Sequence, residues 1–156
     1  PYADATRMLL AGCSQGGFVS ALTAARNPGK VQQLVLFYPA LCIPDDARAG
    51  KMMLAKFDPK NIPERLNCGP MKLGRCYPAD VIDMGPIAEI KSYLGPVLIV
   101  HGTKDNIVKL DYSRQAQRAY PNAKLHIIEG GAHGFSKKHD AIAIAHLRRF
   151  AGRDGK

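Results

Sequence analysis

The stretch Gly12-Cys13-Ser14-Gln15-Gly16 constrains this chain more than any other. It follows Arg7-Met8-Leu9-Leu10-Ala11, which is too apolar for a half-exposed strand and reads as a buried one. It precedes Phe18, Leu22 and Ala25 at helical spacing, and Asn27-Pro28-Gly29 stops that helix. A serine at G-x-S-x-G spacing between a strand and a helix sits on a tight turn that exposes its hydroxyl. Small residues two before and two after it let strand and helix approach closely. The helix N-terminus then points its amides and partial positive charge at a developing oxyanion. The competing reading, a glycine-rich turn that feeds a phosphate site, needs a P-loop lysine or G-x-G-x-x-G spacing, and both are missing.

The chain after this turn alternates. Gln33 to Phe37 is a second buried strand, closed by Tyr38-Pro39, and Pro86 to Tyr93 is a short helix. Pro96 to Val100 and Lys124 to Ile128 are strands, and Tyr112 to Tyr120 and Ala141 to Phe150 are helices, the last capped near Ser136. Strands that alternate with helices imply a parallel sheet covered on both faces. Residues 41–85 break the pattern. Pro44-Asp45-Asp46 starts a helix that runs through Met52 and Leu54, Asp58-Pro59 and Ile62-Pro63 mark turns, and Met71 to Tyr77 is extended around Gly74. This region is read as an inserted cap over the active site within a single domain spanning residues 1–156.

Two further segments complete a chemistry. In His101-Gly102-Thr103-Lys104-Asp105, Asp105 stands just past the C-terminal end of the third strand, at the sheet edge where open α/β folds build their sites. There it can accept the proton-bearing nitrogen of a histidine and fix its tautomer. Asp111 is the rival acid, but it opens the next helix and reads as its cap. His133, in Gly130-Gly131-Ala132-His133-Gly134-Phe135, follows the last strand on a glycine-flanked loop that can deliver an imidazole to Ser14. The other histidines have plainer explanations: His101 ends a buried strand, His126 alternates within one, and His139 and His146 lie on or beside the final helix. The expected set is Ser14 as nucleophile, His133 as base, Asp105 as orienting acid and the Gln15 amide as oxyanion donor, in the chain order Ser–Asp–His.

The formal net charge of +9 would suit a nucleic-acid binder, but the basic residues are scattered and no aromatics interleave with them to stack bases. No apolar run approaches the roughly 20 residues of a membrane span. Cys13, Cys42, Cys68 and Cys76 contain no C-x-x-C pair, so a zinc site is not expected, and nothing else in the sequence implies a metal or a cofactor. Cys13 and Cys42 read as buried free thiols, and a Cys68–Cys76 bridge stays open.

Together, Gly-Cys-Ser-Gln-Gly-Gly, Val-His-Gly-Thr-Lys-Asp and Glu-Gly-Gly-Ala-His-Gly-Phe resemble the three triad segments of the α/β hydrolases. The insert is similar to that of bacterial feruloyl (cinnamoyl) esterases, through Tyr38-Pro39-Ala40, Ile43 to Gly50 and Phe57 to Pro63. That resemblance implies a serine carboxylic ester hydrolase acting on hydroxycinnamate esters through an acyl-enzyme, with the insert holding the aromatic acyl group. It also implies that Asp46 and Tyr77 hydrogen-bond the ring hydroxyls. The residue-level alternative makes Asp46 a first-turn helix acid and Tyr77 a packing residue. Cys13 replaces a histidine common among relatives, and Met53 a polar, ring-contacting residue.

The resemblance further implies that the chain, which starts at Pro1, is only the C-terminal part of an α/β-hydrolase fold. On that reading it lacks an N-terminal half that would act as its partner and supply the second oxyanion donor. A homodimer is compatible with it, and the compartment stays open with the cytoplasm slightly favoured. Competing functions are another activity on the same scaffold (general carboxylesterase, thioesterase or serine peptidase) and a non-enzymatic small-molecule receptor.

Overall fold

A computed structural model describes residues 7–69 and 71–152, so Pro1 lies outside the described residues. In chain order the elements begin with β1 (Leu9–Cys13), α1 (Gln15–Arg26) and β2 (Gln33–Phe37). They continue with α2 (Ile43–Arg48), β3 (Lys51–Met52), β4 (Ala55–Lys56), β5 (Arg65–Asn67), β6 (Lys72–Gly74) and α3 (Cys76–Val81). The last are α4 (Pro86–Glu89) with a 3₁₀ turn at Ile90–Ser92, β7 (Val97–Gly102), α5 (Leu110–Ala119), β8 (Ala123–Ile128) and α6 (Lys137–Phe150).

Two compact units divide the chain, one formed by residues 1–41 with 86–156, the other by Cys42–Gly85. In the first, four strands pair in the order β1-β2-β7-β8, all parallel. Residues of alternate parity in β2 and β7 serve opposite faces, as the strand period of two requires. Val35, Phe37, Leu98 and Val100 join Ile128, Phe135 and Ala143 in one core, with Leu147 and Phe150 of α6 against it. Leu34, Leu36, Val97 and Ile99, buried with 0–1% exposure, serve the face where α1 and α5 lie. Every side chain of β2 and β7 after Gln33 is thus enclosed, which is why these strands read as unbroken apolar runs.

These observations correct the reading of the chain as a C-terminal remnant. The parallel sheet, its flanking helices and the core they enclose form an α/β-hydrolase fold, because this chain's own helices cover the apolar residues of the two central strands, β2 and β7, on both faces. The readings of partner and compartment that leaned on an absent N-terminal half are withdrawn with it. Among the described residues no helix is long and apolar enough to cross a membrane.

The second unit departs from its expected pattern. The helix from Pro44 ends at Arg48, where Gly50 takes φ 68°, and two short hairpin strands replace its predicted continuation to Leu54. Gly50 permits that turn without Cβ strain, and its carbonyl accepts the Phe57 amide at 2.8 Å. Beyond β6, Tyr77 sits on α3 rather than on an extended segment. The α2 and α3 helices pack together, and Arg48 donates to the carbonyls of Ile82 (2.6 Å) and Met84 (3.3 Å).

Candidate active site

Ser14 stands between β1 and α1 with φ 51° and ψ −121°, a left-handed conformation that costs energy in any residue with a Cβ. The turn is held on both sides: Ser14 N donates to Phe37 O (3.0 Å), and Ser14 O accepts from Ala40 N (2.9 Å) and Phe18 N (3.1 Å). Gly12 makes the turn possible, since a Cβ there would run into the Gly16 carbonyl and the Ser20 hydroxyl. Gln15 opens α1 directly after the serine, which places its amide at the helix N-terminus.

Asp105 and His133 come from the loops after β7 and β8, which are stitched together. Lys104 N donates to Gly131 O (2.8 Å), Thr103 N to Ile128 O (3.0 Å), and Gly130 N to the Thr103 hydroxyl (2.9 Å). Gly102 sits so close to Gly131 that a Cβ on it would strike the Gly131 carbonyl. His133 Nδ1 donates to Asp105 Oδ2 at 2.8 Å, which leaves Nε2 as the acceptor for the Ser14 hydroxyl at 2.9 Å. Asp105 Oδ1 accepts from Ile107 N (2.9 Å) and Val108 N (2.8 Å), so the carboxylate is fixed at both ends. The three residues singled out from sequence therefore meet, and Asp111 instead accepts from Gln115 Nε2 (2.7 Å) within α5.

Asp105 also serves a second serine–histidine pair. His101 Nε2 lies 3.2 Å from Asp105 Oδ2 and 3.0 Å from Val108 O, and His101 Nδ1 lies 2.7 Å from Ser113 Oγ. Both His101 and Ser113 are 0% exposed, and burial holds the His101 imidazole below its usual pKa. Sequence reasoning treated His101 as a strand-end residue and passed over Ser113. The available signal was that a buried histidine needs polar partners, and a serine one turn into the following helix supplies one.

Tyr38 was also missed as a site residue. At φ 37°, its ring packs 4.8 Å from His133 at a 57° tilt and edge-on to Phe135 at 4.8 Å. Burial first, then a hydrogen bond shared with the Cys13 thiol, pushes its phenol up to about 12, so it stays neutral beside the imidazole. Cys13 is exposed, which corrects the expectation of a buried thiol there; its side chain leaves β1 on the face opposite α1. Cys42 and Cys68 are buried, and all four cysteines are free.

Asp46 and Tyr77, both half-buried, lie on α2 and α3 of the second unit. The Cys42 thiol bonds the Asp46 side chain; burial and then Asp46 push that thiol up to about 12. Among the described residues no group of three or more His, Cys, Asp or Glu could hold a metal ion.

Ser14, His133 and Asp105 form an accessible serine–histidine–aspartate chain of hydrogen bonds. A model of the uncharacterised protein family UPF0227 matches residues 2–148. Among solved structures, Est1E from Butyrivibrio proteoclasticus is similar at 33% identity and a TM-score of 0.84, over 94% of this chain and 61% of Est1E. Est1E with ferulic acid bound matches at the same identity and TM-score, over 94% of this chain and 59% of that one. A monoacylglycerol lipase from Paleococcus ferrophilus, 19% identical with a TM-score of 0.66 over 94% of this chain and 68% of its own, shares the fold. No curated protein matches the chain. The chain spans about three-fifths of the Est1E length. The likeness is to the α/β-hydrolase superfamily, which replaces the narrower identification as a C-terminal part alone.

Proposed function

The chain belongs to the uncharacterised protein family UPF0227, and from that premise we propose that it is a serine carboxylic ester hydrolase for hydroxycinnamate esters. The observation that carries the reading is His133 bridging Ser14 Oγ and Asp105 Oδ2 at 2.9 and 2.8 Å. Ser14 Oγ attacks the ester carbonyl carbon while His133 Nε2 takes its proton, and the Gln15 amide donates to the oxyanion. Collapse breaks the bond to the alkoxy oxygen, which receives the proton from His133 and leaves as the alcohol. Water then attacks the acyl-enzyme with His133 again as base, and the carboxylic acid departs as Ser14 regains its proton. Asp105 holds the imidazole in the Nδ1–H form and stabilises its charged state.

The choice of acyl group draws on the Est1E structure with ferulic acid bound and on the insert residues that resemble those of feruloyl esterases. We assign the Cys42–Gly85 unit as the acyl-selecting cap, with Asp46 and Tyr77 hydrogen-bonding the ring hydroxyls. Both side chains belong to helices that pack on each other, which suits a shared role. Hydrolysis of methyl ferulate is the test. Turnover no faster than in buffer would sink the substrate class, and activity that survives Ser14→Ala would sink the mechanism. Tyr77→Phe and Asp46→Asn are expected to raise KM for methyl ferulate by roughly threefold to tenfold, the worth of one hydrogen bond each. The same changes leave KM for p-nitrophenyl acetate, which lacks ring hydroxyls on its acyl side, where it was.

A further inference from the structure

Of the buried titratable groups that the mechanism leaves unused, His101 touches the group on which the mechanism turns. Asp105 Oδ1 accepts the amides of Ile107 and Val108, and among the described residues Oδ2 meets the two histidines. During turnover one of them, His133, gains and loses a proton, so it cannot by itself keep the carboxylate still.

His101 is built to do so. Its Nε2 faces two oxygens, Val108 O at 3.0 Å and Asp105 Oδ2 at 3.2 Å. A lone pair at that position would oppose both, so the proton sits on Nε2 and Nδ1 accepts from the Ser113 hydroxyl at 2.7 Å. Val108 closes a ring, since its N–H donates to Asp105 Oδ1 while its carbonyl accepts from His101. Ser113 stands on α5, so this helix anchors the imidazole from outside the loop. Complete burial keeps His101 neutral, which lets it hold the carboxylate without cancelling its charge.

We propose that His101, locked by Ser113 and Val108, is a positioning residue that keeps Asp105 Oδ2 in line with His133 throughout the catalytic cycle. The inference rests on Ser14–His133–Asp105 as the working set, and the controls separate the two. A displacement of about 1 Å in a catalytic group costs on the order of 100-fold in rate, so loss of this support should be visible in kcat.

The experiment is steady-state hydrolysis of p-nitrophenyl acetate, normalised to active sites by burst titration, for wild type, Ser14→Ala, His101→Leu, His101→Gln and Ser113→Ala. His101→Leu is expected to lose about tenfold to 100-fold in kcat with KM unchanged. His101→Gln, whose amide N–H can reach the Nε2 position, recovers most of that loss, and Ser113→Ala loses about threefold to tenfold. A role confined to stability lowers yield without moving kcat per active site. His101→Leu within twofold of wild type overturns the inference. Should His101→Leu fail to fold, Ser113→Ala decides, and a kcat within twofold of wild type overturns it equally. Inactive Ser14→Ala beside fully active His101→Leu removes this inference alone, whereas active Ser14→Ala removes the reading beneath it.

Discussion

The two serine–histidine pairs that share Asp105 are made of the same residue types at closely matched distances, yet their surroundings give them opposite capabilities. Ser14 is partly exposed on a strained turn at a helix N-terminus, and its histidine comes from a glycine-flanked loop. Ser113 is sealed inside α5, its histidine lies in the central strand β7, and both are fully buried. The distances within a serine–histidine–aspartate set therefore do not identify a nucleophile. Access, an oxyanion donor beside the serine and room for the imidazole to change protonation state decide it. The sealed pair, unable to reach a substrate, can still act on the shared carboxylate.

The largest expected effect breaks the symmetry outright. Ser14→Ala should reduce kcat/KM by about 10⁴-fold or more, whereas Ser113→Ala should stay within about tenfold of wild type. A fluorophosphonate probe followed by peptide mass spectrometry should find the adduct on Ser14 and none on Ser113. Label on Ser113 would reverse the assignment.

Much of this site was legible in the sequence because local chemistry dictates it. The small residues around Ser14, Asp105 past a buried strand and His133 among glycines all follow from what a nucleophile elbow and its partners need within a few residues. The sheet was legible for the same reason, since strands enclosed on both faces read as plain apolar runs. What escaped depends on tertiary neighbours. Cys13 alternates onto the open side of the edge strand β1, where pairing register rather than composition sets its exposure. His101 and Ser113 are twelve residues apart and meet only when α5 packs against β7. The β3–β4 hairpin of the second unit replaced a predicted helix because a left-handed Gly50 ends α2, and propensity alone gave that glycine no turn to make.

A medium effect tests whether the two pairs are mechanically joined. Gly102→Ala places a methyl against the Gly131 backbone carbonyl at the junction of the loops that carry Asp105 and His133. Neither backbone can yield cheaply, so a loss of about 1–3 kcal/mol in urea unfolding is expected, with activity falling further than stability alone explains. Unchanged kcat in the folded variant would show that the loops tolerate separation.

The smallest effect distinguishes the pairs by charge. Burial lowers the pKa of His101, so the folded protein resists binding a proton that the unfolded chain takes up below the ordinary histidine value of about 6.5. Stability therefore stays level above that pH and declines as pH falls beneath it, by at most about 1.4 kcal/mol per pH unit from this one group. His126 is lowered in the same direction, by burial and then by His146 stacked 3.8 Å away, and it adds its own decline. His101 must be isolated by comparison. His101→Gln should show a shallower acid-side slope than wild type in urea unfolding between pH 7 and pH 5, while His126→Gln removes the other part. Parallel slopes for wild type and His101→Gln would mean that His101 accepts a proton in the folded state. The sealed pair would then be a second charged relay on Asp105 rather than a neutral brace.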